Sequence, residues 1–127
     1  MLDHVTIGVS DMERSRAFFD KALSPLGIER LYAEGKLFAG YGADRKAFFW
    51  ISLRQSVLTS SHVAFSAPNR EAVDNFHKAA VEAGGRDNGK PGLRSQYHPN
   101  YYGAFILDPD GHNIEAVTHH PIVSRLA

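Results

Sequence analysis

Apolar and polar residues alternate at the start of the chain. In HVTIGV, Val5, Ile7 and Val9 fall on one face and His4, Thr6 and Gly8 on the other, the period of a half-buried strand. The spacing then lengthens to that of a helix. Ser10 with Glu13 reads as a capping box, and Phe18, Ala22 and Leu26, flanked by Phe19 and Leu23, form an apolar stripe that Pro25 and Gly27 end. Period two returns in KAFFWISL, which puts Phe49, Ile51 and Leu53 on the helix-covered face and Phe48, Trp50 and Ser52 opposite; Gly42-Ala43-Asp44 is its hairpin connector. The second half repeats this order. Val63, Phe65 and Ala67 oppose His62, Ala64 and Ser66, and Val73, Phe76 and Ala80 line a helix that stops at Gly84-Gly85. Asp108-Pro109-Asp110-Gly111 then turns the chain into HNIEAV, with Ile114 and Ala116 covered and Asn113, Glu115 and Val117 opposite.

The two halves also share residues. Laid over each other at an offset of 58, residues 4–27 and 62–85 match at His4/His62, Val5/Val63, Glu13/Glu71, Phe18/Phe76, Ala22/Ala80 and Gly27/Gly85. Later segments continue the match at an offset of 65, which sets Trp50 opposite Glu115. The pattern predicts one domain over 1–127 built from two copies of a strand–helix–hairpin unit, about 1–56 and about 60–120. A helix covers one face of each sheet, so the bare face must curl into a cup, and His4, His62 and Glu115 all project onto it. Two imidazoles and a carboxylate at repeat-related positions are a candidate metal site.

The change of offset means that seven extra residues lie within RDNGKPGLRSQYHPNYYG. This segment, 86–102, either lines the cup for substrate recognition or packs its tyrosines on the outer sheet. With the trio committed to metal, His98, Tyr101 or Tyr102 would be the acid/base partner, and Trp50, Arg94 and Tyr97 would contact substrate. His77 reads as a helix-surface residue and His112 as a structural turn residue open to a role behind the ligands. His119 and His120 read as a tail with no assigned role.

Lys+Arg and Asp+Glu number 14 each, for a net charge of zero, which removes the basic field that nucleic acid or an anionic membrane would need. The absence of cysteine excludes disulfides and thiolate zinc sites and suits a reducing compartment. Patterned sequence from almost the first residue, with no long apolar run, predicts a cytoplasmic protein without a signal peptide or membrane span.

Two such units, a histidine heading each first strand, and a glutamate following DPDGHN closely resemble the vicinal oxygen chelate superfamily: glyoxalase I, bleomycin-resistance proteins, fosfomycin thiol transferases and extradiol dioxygenases. The resemblance covers residues 2–118. It implies an α+β fold of two tandem βαβββ units forming a curved, cup-like mixed sheet with helices outside. It also implies His4, His62 and Glu115 as ligands to one divalent ion of the Fe, Mn, Ni or Zn group. Trp50 occupies the fourth ligand position of glyoxalase I, which leaves the facial triad of two His and one carboxylate, with positions open for a substrate chelating through two oxygens. Thr6 resembles the threonine beside the first ligand in fosfomycin thiol transferases. The reading is therefore a metal-dependent lyase or ring-cleaving dioxygenase acting on a small substrate. The alternatives are a metal-free binding protein of the bleomycin-resistance type or a thiol transferase. Small members of the superfamily pair unit one of one chain with unit two of another, which implies a homodimer with His4 and His62/Glu115 on different chains.

Overall fold

The computed structural model describes residues 1–57 and 61–122. Unit one runs β1 (Val5–Val9), α1 (Met12–Ala22), a 3₁₀ turn (Ser24–Leu26), β2 (Glu29–Glu34), β3 (Phe38–Ala43) and β4 (Lys46–Leu53). Unit two runs β5 (His62–Ser66), α2 (Arg70–Glu82), β6 (Arg86–Leu93), β7 (Tyr102–Leu107) and β8 (Asn113–Thr118). Each unit has its own four-stranded mixed sheet, in the orders β1-β4-β3-β2 and β5-β8-β7-β6. The first and last strands of each unit run parallel, and the remaining pairs are antiparallel. The protein is α+β, with two tandem βαβββ units. No helix among the described residues is long and apolar enough to cross a membrane.

The core lies where the apolar periods meet. Ile7, Val9, Phe49 and Ile51 from sheet one, and Phe65, Ile106, Ile114 and Ala116 from sheet two, are buried under Phe18, Phe19, Val73 and Phe76 of the helices. Each large side chain removed from water there is worth about 1.5–3 kcal/mol. Edge-on rings join the halves, Phe49 meeting Phe65 at 5.1 Å between centroids. Leu53 departs from the expected pattern. It is the last residue of β4 and is exposed.

The turns show where local sequence was overruled. Helix α1 is capped by Asp11, whose side chain accepts from the Arg14 amide at 3.1 Å, not by Ser10. Ser10 is engaged elsewhere: its backbone and hydroxyl both donate to Asp110 in the β7–β8 turn of the other unit. The β3–β4 hairpin turns one residue later than expected, at Asp44 and Arg45, both with positive φ (51° and 66°), the backbone of a two-residue type I′ turn. Segment 86–102 is not one loop. Arg86–Leu93 forms β6, pairing with β7 through register shifts at Asp87/Gly89 and Gly89/Gly92, so only residues 94–101 connect the strands.

Candidate metal and substrate site

Strand register fixes which side chains share the open faces. One row across sheet one reads Thr6, Trp50, Gly40, Tyr32; the equivalent row across sheet two reads Ala64, Glu115, Phe105, Gly89. Trp50 and Glu115 therefore occupy the same place in their units. Each row sets a glycine beside an aromatic ring. A Cβ on Gly40 would come within 2.6–2.8 Å of the indole, and one on Gly89 within 2.8 Å of the Phe105 ring.

In unit two the open face converges on Glu115. This residue is 1% exposed and its carboxylate holds one partner on each oxygen: His62 Nε2 lies 2.8 Å from Oε1, and the Tyr101 hydroxyl donates to Oε2. Burial, and after it the bond to Glu115, pushes the Tyr101 phenol up to about 12, so it stays a donor at neutral pH. Phe105 floors the face beside His62, with ring centroids 6.1 Å apart, and the Arg94 guanidinium stacks over Phe105 at 5.5 Å. Arg94 is held there by bonds to the carbonyls of Lys90 and Gly92 (2.7 and 2.9 Å). Tyr97 packs edge-on against Tyr101, and His119 packs against both Tyr101 and His98, all with centroids 5.1 Å apart.

In unit one, His4 and Thr6 line a cavity of about 320 Å³ with Phe38, Trp50, Ile51 and Ser52. Trp50 is stacked on Tyr32 at 5.9 Å and meets Phe38 edge-on at 5.8 Å. His4 Nδ1 donates to Asp3 at 2.7 Å, and Asp3 also binds Lys46. That salt-linked group holds the Asp3 carboxyl below its ordinary range, chiefly through the His4 bond. His4 also faces a second cavity, of about 460 Å³, between β1 and β5.

Of the expected site residues, the fold gathers His62, Glu115, Tyr101, Tyr97, His98 and Arg94 on one face, and His4, Thr6 and Trp50 on the other unit's face. Among the described residues of a single chain, no cluster of three or more His, Asp or Glu side chains is close enough to hold an ion. Tyr102 belongs to neither face. Its hydroxyl donates to Asp74 of α2 at 2.6 Å and its ring lies under Arg70, because neighbouring residues of a strand point to opposite sides. His112 is also remote from Glu115: it is buried and donates from Nε2 to the Gly8 carbonyl at 2.7 Å, tying the units together. His77 donates to Asp87 at 2.9 Å. Three members of the face were not expected: Phe105, Gly103 and His119. For His119 the signal was present, since Glu115, Val117 and His119 continue one alternation.

A sealed carboxylate needs positive charge nearby. Among the described residues, its only ionisable salt-bridge partner is His62, cationic only when protonated. An imidazole nitrogen and a carboxylate oxygen side by side, with no Lys or Arg on that oxygen, form a donor pair that fits a divalent first-row ion.

Comparison with known proteins identifies the family. The sequence model of the Glyoxalase/Bleomycin resistance protein/Dioxygenase superfamily matches residues 1–116. A crystal structure of a glyoxalase/bleomycin resistance protein from Albidiferax ferrireducens is 32% identical with a TM-score of 0.80, covering 95% of this chain and 99% of that one. The metallothiol transferase FosB of Shouchella clausii is 27% identical over 139 residues, spanning 99% of this chain and 84% of that protein. A glyoxalase I variant from Zea mays shares the fold, with a TM-score of 0.70 at 24% identity over 91% of this chain and 46% of that one. With the model matched along nearly its whole length and the duplicated βαβββ architecture in place, the chain belongs to the Glyoxalase/Bleomycin resistance protein/Dioxygenase superfamily.

Proposed function

We propose that this protein is a metal-dependent enzyme acting on a small substrate that chelates a divalent ion through two oxygens, with His4, His62 and Glu115 as the ion's ligands. The observation that carries the reading is the buried Glu115 carboxylate, in contact with His62 and otherwise without a charged partner among the described residues. When bound, the ion supplies Lewis-acid stabilisation of charge developing on the substrate oxygens. The chain's own residues do the remaining work. Tyr101 orients Glu115, Trp50 and Phe105 keep the two open faces apolar, and Arg94 and Tyr97 border the unit-two face where a substrate's polar end would lie. His98, set beside His119 at the edge of the same cluster, is the imidazole for moving a proton. His4 reaches the site from a second copy of the chain, whose unit-one face closes over this unit-two face in a homodimer.

Two reaction classes are supported unequally. The likeness to a metallothiol transferase favours addition of a thiol to a small electrophile, with Thr6 beside His4 contacting it. Lyase or ring-cleaving chemistry rests on the superfamily and on the open coordination positions that a three-ligand site leaves. Elemental analysis of untagged protein should find about one Fe, Mn, Ni or Zn ion per chain, since mixed imidazole–carboxylate sites suit those ions. His62→Ala and Glu115→Gln should each lose most of it; undiminished content in both would overturn the assignment. Turnover of fosfomycin plus thiol, a hemithioacetal or a catechol then separates the reactions. A metal-free protein that still binds a ligand in the cup would instead be a sequestration protein.

A further inference from the structure

We infer that Tyr101 is a positioning residue that confines Glu115 to one-oxygen coordination and so sets the affinity and geometry of the ion; the inference rests on the metal site proposed above. Both oxygens of Glu115 are already assigned. Oε1 faces His62 Nε2 at 2.8 Å, on the side where a shared ion would sit, whereas Oε2 is taken by the Tyr101 hydroxyl. For Oε2 to join the same ion, the carboxylate would have to rotate and abandon its hydrogen bond to Tyr101.

The tyrosine is itself held from several directions. Its carbonyl accepts from the Arg94 amide at 2.7 Å, its amide donates to the His98 carbonyl at 3.0 Å, and its ring is wedged between Tyr97 and His119. Gly103 leaves the space for this arrangement: a Cβ there would stand 3.2 Å from the Tyr101 ring and 3.4 Å from Glu115 Oε2. The short connection 94–101 therefore acts on the site through one hydroxyl. A carboxylate held to one oxygen keeps further coordination positions free for a two-oxygen substrate, which a bidentate carboxylate would crowd.

The test compares the parent with Tyr101→Phe and, as a control, Tyr102→Phe, which removes a neighbouring hydroxyl from the opposite face of the sheet. Each is titrated with Co²⁺ and Zn²⁺ by calorimetry, and the visible spectrum of the Co²⁺ form is recorded. Tyr101→Phe keeps the ring, so it should fold, bind both ions about 10–100-fold more weakly as is usual when a partner behind a ligand is lost, and show a weaker Co²⁺ band as Oε2 adds to the coordination number. Tyr102→Phe should match the parent. Should Tyr101→Phe fail to fold, Gly103→Ala disturbs the same contact from the other side and should give the same spectral change. Parent-like affinity and spectrum in folded Tyr101→Phe would overturn the inference while leaving the metal site standing. A parent that takes up no Co²⁺ would overturn the site and this inference together.

Discussion

Trp50 shows how much one side chain can decide. Its indole lies across Gly40 at the place where unit two holds Glu115, so a potential ligand position has become part of an aromatic wall with Tyr32 and Phe38. It is also the chain's sole tryptophan, so selectively excited tryptophan fluorescence reports on this face. Gly40→Ala should tilt the ring, shift its emission and cost about 1–3 kcal/mol of stability through overpacking, measured by thermal melts alongside emission spectra. An unmoved emission maximum would mean that the ring does not rest on this glycine. Trp50→Glu should add a fourth ligand, a second carboxylate, beside His4 and tighten metal binding in calorimetry.

Among the elements, the β7–β8 turn does more than reverse the chain. Asp108 accepts from the amides of Asp110 and His112, Asp110 accepts from Ser10 and Arg14, and His112 donates to Gly8, so a turn of unit two is fastened to β1 and α1 of unit one. His112→Ala would leave the Gly8 carbonyl without this partner in a part-buried seam; a loss of about 1–3 kcal/mol is expected, with faster hydrogen exchange concentrated in β1. Burial holds the Asp108 carboxyl above its ordinary value of 3.8 although both amides oppose this, so the folded chain binds that proton more tightly than the unfolded one. Its contribution is then present in full below 3.8 and withdrawn as pH rises through the folded value. Relative to Asp108→Asn, the parent should gain thermal stability as pH is lowered from 7 to below 3.8, and a constant difference in Tm between the two would contradict this.

For the whole molecule, the decisive arrangement is that the proposed ligands are divided between the two units of one chain. Unit one holds His4 and Trp50, unit two holds His62 and Glu115, and uncovered sheet faces are commonly closed by association. The proposed homodimer predicts complementation. Mixed and reassembled His4→Ala and Glu115→Ala chains should recover about a quarter of the parent's metal binding, because random pairing makes half of the dimers mixed and each mixed dimer has one intact site. No recovery from a preparation shown to contain mixed dimers would place all the ligands within one chain.

The alternation in HVTIGV, HVAFS and HNIEAV determined without further help which residues enter the core and which face outward, because a strand's period of two leaves no freedom once one face is apolar. The duplication likewise made Trp50 and Glu115 legible as equivalents, and the register bears this out residue for residue. Tertiary structure decided what local pattern could not carry. Ser10 lost the helix cap to Asp11 because a residue a hundred positions away recruits it. The stretch Arg86–Leu93 holds two glycines and a proline, poor strand formers, and became β6 only because β7 offered an edge to pair with. Tyr101 and Tyr102 are adjacent and chemically alike, yet only the backbone's course out of the 94–101 connection puts one on Glu115 and the other on Asp74. The distance between His4 and its proposed partners has the same origin. Face parity says which side of a sheet a residue occupies, whereas the packing of two sheets about a shared helical core decides whether those sides meet.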